Sequence, residues 1–287
     1  GIGVAGAAWA HRRGARVSLA GLEPELLAER ARELGPETPH FECDVTDMDS
    51  VQAAVDGTVE ALGGIDIVLA NAGIATYGTV EKGDVESWTR TIDVNLNGAY
   101  RTVHAALPHV LERRGYVLVV ASVASFAPTA GLSSYNASKA GVDLFVRALR
   151  QEVGFRGVDA GTAHPSWIDT DLVRESERDL KSFRDMRAKL PWPVKATTSV
   201  DGCASAIVDG MEKRSARIYV PRAVAILFWL RSVLSSSLGE RATAADTEVM
   251  VPQMEREIAE LGRAGSRRTA EINDLPSNDR AELGSGT

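Results

Sequence analysis

Short runs of apolar and β-branched residues alternate with longer stretches of helical periodicity along most of the chain. Such alternation is typical of a parallel sheet whose strands are joined by crossover helices. The short runs predict strands at residues 16–20, 40–45, 65–70, 116–121, 158–163 and 217–220. Because these runs are almost continuously apolar, we expect helices to cover both faces of the sheet.

Helical patterns occupy the segments between the predicted strands, at residues 24–34, 50–62, 85–112, 135–153 and 199–213. This order predicts an α/β fold with a doubly wound parallel sheet, in a single domain over residues 1–222. We expect a helical C-terminal extension over residues 223–261. A polar, poorly ordered tail is expected over residues 262–287, where Gly, Ser, Arg, Asn and Asp predominate.

The chain opens with Gly-Ile-Gly and a helical pattern that runs to His11, without a strand before them. A doubly wound sheet of this order would have a strand at its centre, immediately before those glycines. Its loss would leave two unpaired strand edges inside the protein. We therefore expect the first strand to be missing from the sequence and to belong to upstream residues of the intact protein.

Charge and cysteine content argue against several classes of function. The 287 residues carry a net charge of −7, with a pI near 5.4. An acidic surface repels a phosphate backbone, so we predict no nucleic-acid partner. Cys43 and Cys203 are far apart in sequence and fit neither a disulfide framework nor a paired metal-ligand spacing. We therefore predict no metal site and a reducing, cytoplasmic setting.

The sequence contains no recognisable export or membrane-spanning segment. Residues 1–10 lack a charged stretch ahead of an apolar core, which a secretion signal requires. The most apolar run, residues 223–230, is shorter than the ~20 residues that cross a bilayer. We predict no transmembrane span.

The N-terminal glycines suit a helix start that binds phosphate. Gly1 and Gly3 flank Ile2 where the first helix begins. Without side chains there, backbone N–H groups and the positive helix end can approach a pyrophosphate. Glycines at such positions also act as simple caps or turns, so this feature alone leaves both interpretations open.

The end of the next strand bears on the choice of dinucleotide. An acid at this point would accept both ribose hydroxyls of NAD, but the sequence has Gly21 and Leu22. These residues leave space for a 2′-phosphate, without an obvious cation to hold it. The cofactor prediction is NADP or NAD, with a slight preference for NADP that Glu23 could reverse.

Two further strand ends carry candidate cofactor contacts. Asp44 and Val45 close the strand at 40–45, and the sequence Asn71-Ala72-Gly73 follows the strand at 65–70. Ligands of open α/β sheets bind at the carboxyl ends of the strands, so Asp44 could bind adenine and the Asn-Ala-Gly turn could pass close to the cofactor. Alternatively, Asp44 begins a turn with the residues that follow it, and Asn71 accommodates a left-handed bend.

A tyrosine and a lysine four residues apart are the most informative pair in the sequence. Tyr135 and Lys139 fall on one face of the predicted helix 135–153. A nearby ammonium stabilises a phenolate, so we expect Lys139 to lower the pKa of Tyr135 towards neutrality. Ser122 follows the strand at 116–121 and could hold a substrate oxygen beside the tyrosine. A bare Tyr-x-x-x-Lys spacing also occurs by chance on helix surfaces.

The ordered series Asn71-Ala72-Gly73, Asn95, Ser122 and Tyr135-x-x-x-Lys139 resembles the short-chain dehydrogenase/reductase family in its common single-domain form. The resemblance covers residues 1 to about 220. The family's glycine-rich motif is matched only in its last part, by Gly1 and Gly3. Its Asn-Asn-Ala-Gly turn has Ala70 in place of the first Asn.

The resemblance implies a Rossmann-type NAD(P)-dependent enzyme acting on CH–OH groups. It implies that Tyr135 exchanges a proton with the substrate oxygen, that Ser122 polarises this oxygen, and that Lys139 binds the nicotinamide ribose. Asn95 would hold a water that links Lys139 to solvent. Hydride passes between the nicotinamide and the substrate carbon.

The family's Pro-Gly…Thr segment, which contacts the nicotinamide carboxamide, corresponds here to residues 165–170. Pro165, Ile168 and Thr170 are the expected cofactor contacts within it. Ser166 stands where the family usually has Gly, which leaves less room beside the nicotinamide, so Trp167 and this loop are expected to narrow the pocket.

Two segments bear on substrate and partners. We expect residues 171–198 to form a lid that decides specificity, although a solvated helix with one buried stripe would give the same pattern. Residues 223–238 form an unusually apolar helix, expected to pack on a sister subunit or over the substrate pocket, with peripheral membrane contact as the alternative. The family resemblance and the long helices favour a homodimer or homotetramer.

The sequence predicts an oxidoreductase that interconverts a secondary alcohol and a ketone on a hydrophobic small molecule. Two alternatives stay open. A 3-oxoacyl-[acyl-carrier-protein] reductase would need a basic docking patch near the pocket, for which residues 174–187 are the only candidate. A non-catalytic dinucleotide-binding sensor or scaffold would not turn over any substrate.

Overall fold

The computed structural model describes residues 1–190, 194–234 and 236–265. Its strands are β1 (Leu19–Gly21), β2 (His40–Glu42), β3 (Ile67–Ala70), β4 (Tyr116–Val120), β5 (Asp159–Pro165) and β6 (Arg217–Val220). Its α-helices are α1 (Ile2–Arg12), α2 (Pro24–Leu34), α3 (Met48–Leu62), α4 (Val85–Ile92), α5 (Gly98–Glu112), α6 (Ser133–Val153), α7 (Asp171–Asp179), α8 (Lys181–Lys189), α9 (Val200–Glu212), α10 (Val224–Leu234) and α11 (Ser237–Leu261). These elements confirm the predicted α/β fold with parallel strands and crossover helices.

All strand pairings between these elements are parallel. One sheet has the order β3-β4-β5-β6, and β1 and β2 form a separate two-stranded sheet. In the larger sheet Ala70 is paired with Val119, which in turn is paired with Thr162. The carboxyl ends of β3, β4 and β5 therefore lie side by side, and the loops that follow them share one edge of the sheet.

Strand β4 shows why the sheet is covered on both faces. Its residues are all buried, and successive side chains point to opposite faces. Tyr116 and Leu118 pack with α9 and α1, whereas Val117 and Val119 pack with α5 and α6. The sheet thus lies between two helical layers, as the continuous apolar runs predict.

Several predicted boundaries are corrected by the structure. Strands predicted at 16–20 and 40–45 are limited to Leu19–Gly21 and His40–Glu42, so that Asp44 and Val45 lie in the loop after β2. The strand predicted at 158–163 extends to Pro165. The helix predicted at 85–112 is interrupted by a π-helical turn at Asp93–Asn97, which separates α4 from α5.

The segment predicted as a lid contains two short helices, α7 and α8, rather than irregular chain. Helix α11 packs against it: Glu257 accepts hydrogen bonds from the backbone N–H and the hydroxyl of Ser182, at 3.0 and 2.6 Å. Residues 191–193 lie outside the described part. The C-terminal helix therefore holds α8 in place over the core.

Helix α10 covers the first part of the apolar segment 223–238. Val224 and Phe228 are buried, and Phe228 meets Phe126 edge to face at 5.5 Å. Ile226 and Trp229 of the apolar stretch are exposed, at 57% and 77% of their surface. One side of α10 therefore packs on the loop that follows β4, and the other side is largely exposed to solvent.

Within residues 1–190, 194–234 and 236–265, no helix combines the length and the apolar character needed to cross a membrane. The division at residues 222 and 261 remains a prediction, and of the predicted tail, residues 266–287 lie outside the described residues.

Candidate active site

Ser122, Tyr135 and Lys139 meet at the carboxyl end of the larger sheet. Ser122 follows β4 and is 6% exposed, and its Oγ accepts a hydrogen bond from the backbone N–H of Ala124 at 3.2 Å. Tyr135 lies in the first turn of α6, with Lys139 one turn further along. The Lys139 Nζ is 5.8 Å from the centroid of the Tyr135 ring. The structure brings together the three residues that the sequence singled out.

The pKa of Tyr135 differs from the sequence-based expectation. Burial raises the pKa of Tyr135 above its ordinary value, and a hydrogen bond with the Ser122 side chain opposes this rise without cancelling it. The expectation that Lys139 lowers the pKa of Tyr135 towards neutrality is therefore wrong for the protein without a bound ligand. The reason is geometric, because Nζ donates to the backbone carbonyl of Val120 at 2.9 Å and not to the phenol oxygen.

Lys139 itself has an unusual environment. The side chain is 4% exposed, and burial lowers its pKa from 10.5 to about 8. A buried ammonium is costly unless it is paired with other polar groups. This site therefore holds a lysine that can gain or lose a proton near neutral pH.

Asn95 lies in the π-helical turn and is 1% exposed. Its Oδ1 accepts the backbone N–H of Ile74 at 2.8 Å, and its Nδ2 donates to the Ile74 carbonyl at 2.9 Å and to Ser138 Oγ at 3.0 Å. The side chain thus joins the loop after β3 to helix α6. π-Helical turns commonly mark functional positions in otherwise regular helices.

Gly73 lies beside the side chains of both Asn95 and Lys139. A β-carbon built on Gly73 would lie 3.3 Å from Asn95 Oδ1 and 3.3 Å from Lys139 Nζ. The turn after β3 therefore passes so close to both side chains that a larger residue would press on them. Asn71, Ala72 and Gly73 lie directly after β3, at the predicted position.

The N-terminal glycines are found at the start of α1, with Gly1 as the N-cap and Ile2 as the first helical residue. A β-carbon on Gly3 would lie 2.8 Å from Nδ2 of Asn71. The first turn of α1 and the turn after β3 are therefore in close contact. Gly21 ends β1, and Leu22 follows it.

Asp44 takes the role that the alternative interpretation gave it. Its Oδ1 accepts hydrogen bonds from the backbone N–H and the hydroxyl of Thr46, at 2.9 and 2.8 Å. Val45 lies against Gly98, where a β-carbon would be 2.7 Å from Val45 Cγ2. Asp44 thus shapes the turn after β2, and any contact with adenine remains a prediction.

Pro165 is the last residue of β5, and Ile168 and Thr170 follow it in the chain that leads to α7. Ile168 is 2% exposed and forms a parallel bridge with Thr198, and Thr170 is the N-cap of α7. Between them, Ser166 Oγ and Trp167 Nε1 are buried without a hydrogen-bond partner in the described chain. Buried polar atoms usually have partners, so these two are available to a ligand.

An apolar wall closes the other side of Tyr135. Tyr77, Leu132, Leu180 and Phe183 form a buried cluster, against which Tyr135 and Trp167 pack. Ile258 and Leu261 of α11 also contribute to this cluster. Sequence reasoning missed Tyr77 and the whole contribution of α11, because no local pattern relates either of them to Tyr135.

A parallel α/β sheet with a buried serine, a half-buried tyrosine and a buried lysine at its carboxyl edge is typical of nicotinamide-dependent oxidoreductases. The model of the short chain dehydrogenase family matches residues 1–181, and the chain belongs to this family. Its members are oxidoreductases that act on CH–OH groups, and NAD(P) binding is typical of them.

Relatives and solved structures agree with this class. An uncharacterized oxidoreductase of Staphylococcus aureus is 34% identical over 175 residues, covering 60% of this chain and 76% of the relative. The (−)-trans-carveol dehydrogenase of Rhodococcus erythropolis is 35% identical over 156 residues, covering 53% of this chain and 56% of the relative. An alcohol dehydrogenase from the archaeon Thermococcus sibiricus, solved in complex with 5-hydroxy-NADP, gives a TM-score of 0.66 at 25% identity, covering 76% of this chain and 91% of that one.

The residues at this edge fit a dinucleotide. A β-carbon on Gly3 would lie 2.8 Å from Nδ2 of Asn71, and one on Gly73 would lie 3.3 Å from Nζ of Lys139, so backbone and polar side chains come close together at this edge. The first turn of α1 has no acidic residue that would repel a phosphate. The buried, unpartnered Ser166 Oγ and Trp167 Nε1 lie in the loop where the family contacts the nicotinamide.

Proposed function

We propose that this protein interconverts a secondary alcohol and a ketone on a hydrophobic small molecule, with NADP or NAD as the hydride carrier. The observation that carries the proposal is the half-buried Tyr135, which hydrogen-bonds to Ser122 on one side and packs against an apolar wall on the other. The two hydroxyl groups of Ser122 and Tyr135, with apolar side chains around them, suit a substrate that has one alcohol or ketone oxygen on an otherwise apolar molecule.

Tyr135 supplies the proton in this mechanism. Because burial raises its pKa, the phenol holds its proton at neutral pH and can donate it to the oxygen of a ketone. Ser122 holds that oxygen beside the phenol and polarises the carbonyl. A bound nicotinamide supplies or accepts the hydride.

Lys139 and Asn95 support the proton transfer. Lys139, with a pKa of about 8, can replace a proton that Tyr135 has given up, and it would also hold the nicotinamide ribose. Asn95 fixes the loop after β3 against α6 through Ile74 and Ser138. Through this loop it keeps Gly73 against Lys139 and would help to order a water beside the lysine.

The dinucleotide would lie along the strand ends, held by the residues predicted for this role. They are Gly1, Ile2, Gly3, Gly21, Leu22, Asp44, Val45, Asn71, Ala72, Gly73, Tyr135, Lys139, Pro165, Ile168 and Thr170. We favour NADP because Gly21 and Leu22 carry no carboxylate at the end of β1, and because the Thermococcus enzyme was solved with an NADP derivative. Fluorescence titration with NADPH and NADH tests this preference, and tighter binding of NADH would reverse it.

A cyclic or otherwise bulky apolar alcohol is the substrate class that we favour. The wall beside Tyr135 consists of aromatic and aliphatic side chains, and one relative is named for carveol. The test is a panel of secondary alcohols and ketones, including carveol and short-chain alcohols, followed by nicotinamide absorbance. Preference for the short-chain members would contradict this assignment.

The acyl-carrier-protein alternative finds little support in the charges of α7 and α8. Arg174 pairs with Asp169 and Asp171 at 2.8 Å, and Lys181 pairs with Asp185 at 2.6 Å. Arg187 is mostly buried and pairs with Glu177. Because carboxylates within the same region neutralise these cations, the surface offers a weak attraction to an acidic carrier protein.

We also propose self-association through α5 and α6. Tyr100 and Leu144 are exposed by 52% and 62% on these helices, and large exposed apolar groups are common at subunit interfaces. Light scattering after size-exclusion chromatography would give a dimer or a tetramer. Peripheral membrane contact through the exposed side of α10 is the less favoured proposal, and vesicle co-sedimentation tests it.

A further inference from the structure

A buried histidine holds the main chain of Ser122. His164 lies in β5 with none of its surface exposed, and its Nδ1 is 3.2 Å from the backbone carbonyl oxygen of Ser122. A carbonyl oxygen can only accept, so Nδ1 carries a proton and donates it. His164 therefore contacts the main chain of the residue whose hydroxyl hydrogen-bonds to Tyr135.

The second ring nitrogen of His164 faces a carboxylate. Nε2 is 3.3 Å from Oδ1 of Asp143 and 2.9 Å from Oγ1 of Thr162. Burial raises the pKa of Asp143, but the hydrogen bond and charge of His164, with the charges of Arg217 and Arg147, outweigh burial and lower it. In the imidazolium form both ring nitrogens donate, Nδ1 to the Ser122 carbonyl and Nε2 to Asp143, so the Asp143 carboxylate orients the ring.

Asp143 belongs to the helix that carries the acid/base pair. It lies four residues after Lys139 and eight after Tyr135, so all three occupy one face of α6. A chain of contacts therefore runs from Tyr135 to Ser122, from Ser122 to His164, and from His164 to Asp143, which lies on the same helix as Tyr135. These contacts join β4, β5 and α6 beside the phenol that would transfer the proton.

Aromatic packing fixes the plane of the imidazole. The ring of His164 is stacked on Tyr219, with centroids 5.5 Å apart and an angle of 25° between the planes. Phe126, from the loop after Ser122, lies at 5.4 Å on a tilted plane. The ring therefore has little freedom to turn its Nδ1 away from the Ser122 carbonyl.

We propose that His164 is a positioning residue for Ser122, and that Asp143 sets the orientation of His164. The inference rests on the proposed function, since it concerns how the serine is held for the same reaction. Without the Nδ1 contact, the main chain at Ser122 can shift and carry the hydroxyl away from the substrate oxygen. A small misplacement of a reacting group lowers turnover much more than it lowers binding.

The test compares substitutions that distinguish the effect of the Nδ1 hydrogen bond from the effect of the aromatic ring. His164→Phe keeps an aromatic ring between Tyr219 and Phe126 but removes both nitrogens, whereas the amide of His164→Asn can still donate to the Ser122 carbonyl. Thr58→Val is the matched control, because it removes a hydroxyl that donates to the Ala54 carbonyl on α3 and touches none of these residues. Each variant is assayed for kcat, KM and NADPH binding with the best alcohol of the panel.

We expect kcat of His164→Phe to fall by about tenfold or more, with KM and NADPH affinity within about twofold of the original protein. His164→Asn should recover most of the lost kcat, and Thr58→Val should lose little. Equal kcat in His164→Phe and the unsubstituted protein overturns the proposal, and so does equal loss in His164→Phe and His164→Asn. If His164→Phe does not fold, His164→Ala replaces it, and equal kcat in the Ala and Asn variants overturns the proposal.

Tyr135→Phe, measured in parallel, distinguishes the two levels of failure. Full activity in Tyr135→Phe, or no turnover of any panel compound by the unsubstituted protein, removes the proposed function and this inference with it. Activity that depends on Tyr135 but persists unchanged in His164→Phe removes only the positioning role.

Discussion

The Nζ of Lys139 donates a hydrogen bond to the backbone carbonyl of Val120, 2.9 Å away. This contact crosses from α6 to the last residue of β4, two residues before Ser122. It holds the ammonium 5.8 Å from the centroid of the Tyr135 ring. The lysine is therefore placed to bind a ligand or exchange a proton at this edge, while burial keeps the phenol of Tyr135 protonated.

Replacing Tyr135 by Phe should abolish turnover and leave cofactor binding intact. The phenol oxygen is the proposed proton donor, and loss of a positioned acid typically costs about 10²–10⁴-fold in rate. We expect kcat to fall by at least about a hundredfold and the NADPH dissociation constant to change by less than about threefold. Nicotinamide absorbance and fluorescence titration measure the two quantities. Tyr100→Phe is the control: it removes a phenol oxygen on α5 but keeps the aromatic ring at the proposed subunit interface, so it should behave like the unsubstituted protein.

The two reaction directions should respond oppositely to pH. Ketone reduction needs the phenol form of Tyr135, and the raised pKa keeps that form populated through the neutral range. Alcohol oxidation needs the phenolate, whose fraction increases up to about tenfold per pH unit below the pKa. We expect kcat/KM for oxidation to rise from pH 7 to pH 10, and that for reduction to stay level and then decline. An oxidation rate that falls across this range would contradict the role of Tyr135.

Much of the architecture was predictable because it depends on patterns with a fixed period. Apolar runs alternating with helical stretches predicted the α/β sheet, and a spacing of four residues put Tyr135 and Lys139 on one helix face. Both patterns reflect local geometry that tertiary packing did not overrule. The strand ends were less predictable: β2 stops at Glu42, because Asp44 turns the chain through its contacts with Thr46.

What the sequence did not predict depends on contacts between distant segments. Nothing between residues 85 and 112 signals the π-helical turn, which accompanies the hydrogen bonds of Asn95 to Ile74 and Ser138. The apolar wall includes residues of α11, which pack with Tyr77 in the same cluster. The helical periodicity of α11 does not indicate which part of the chain this helix packs against. Asp143 continues the spacing of Tyr135 and Lys139, and that spacing was the one available signal for the contact with His164.

Lys139→Met should alter how stability depends on pH. The unfolded lysine titrates at 10.5 and the folded one at about 8, so between these values the unfolded chain binds more protons. The folded state is therefore penalised below pH 8, and the penalty disappears as the pH rises towards 10.5, with an upper size of about 3 kcal/mol. Met carries no charge and escapes this penalty.

We expect Lys139→Met to gain stability relative to the unsubstituted protein at pH 7, and this gain to shrink as the pH approaches 10. Urea unfolding at several pH values measures the difference in the free energy of unfolding. Lys213→Met, at an exposed lysine that follows α9, should give a difference that does not vary with pH in this range. A constant difference for Lys139→Met would mean that this lysine is not desolvated in solution.

Gly3→Ala should weaken dinucleotide binding more than it weakens the fold. The new β-carbon would lie 2.8 Å from Nδ2 of Asn71, a side-chain end that can move aside but would then intrude on the strand edge. We expect NADPH affinity to fall by about tenfold, which corresponds to about 1.4 kcal/mol.

Gly6→Ala is the matched control on the same helix, because a β-carbon there meets nothing within 4 Å. Alanine favours a helix interior over glycine by up to about 1 kcal/mol, so this variant should be slightly more stable and bind NADPH normally. Fluorescence titration and thermal unfolding of both variants give the answer. If Gly3→Ala and Gly6→Ala bind NADPH equally well, the first turn of α1 does not approach the cofactor, and the predicted contacts of Gly1, Ile2 and Gly3 are wrong.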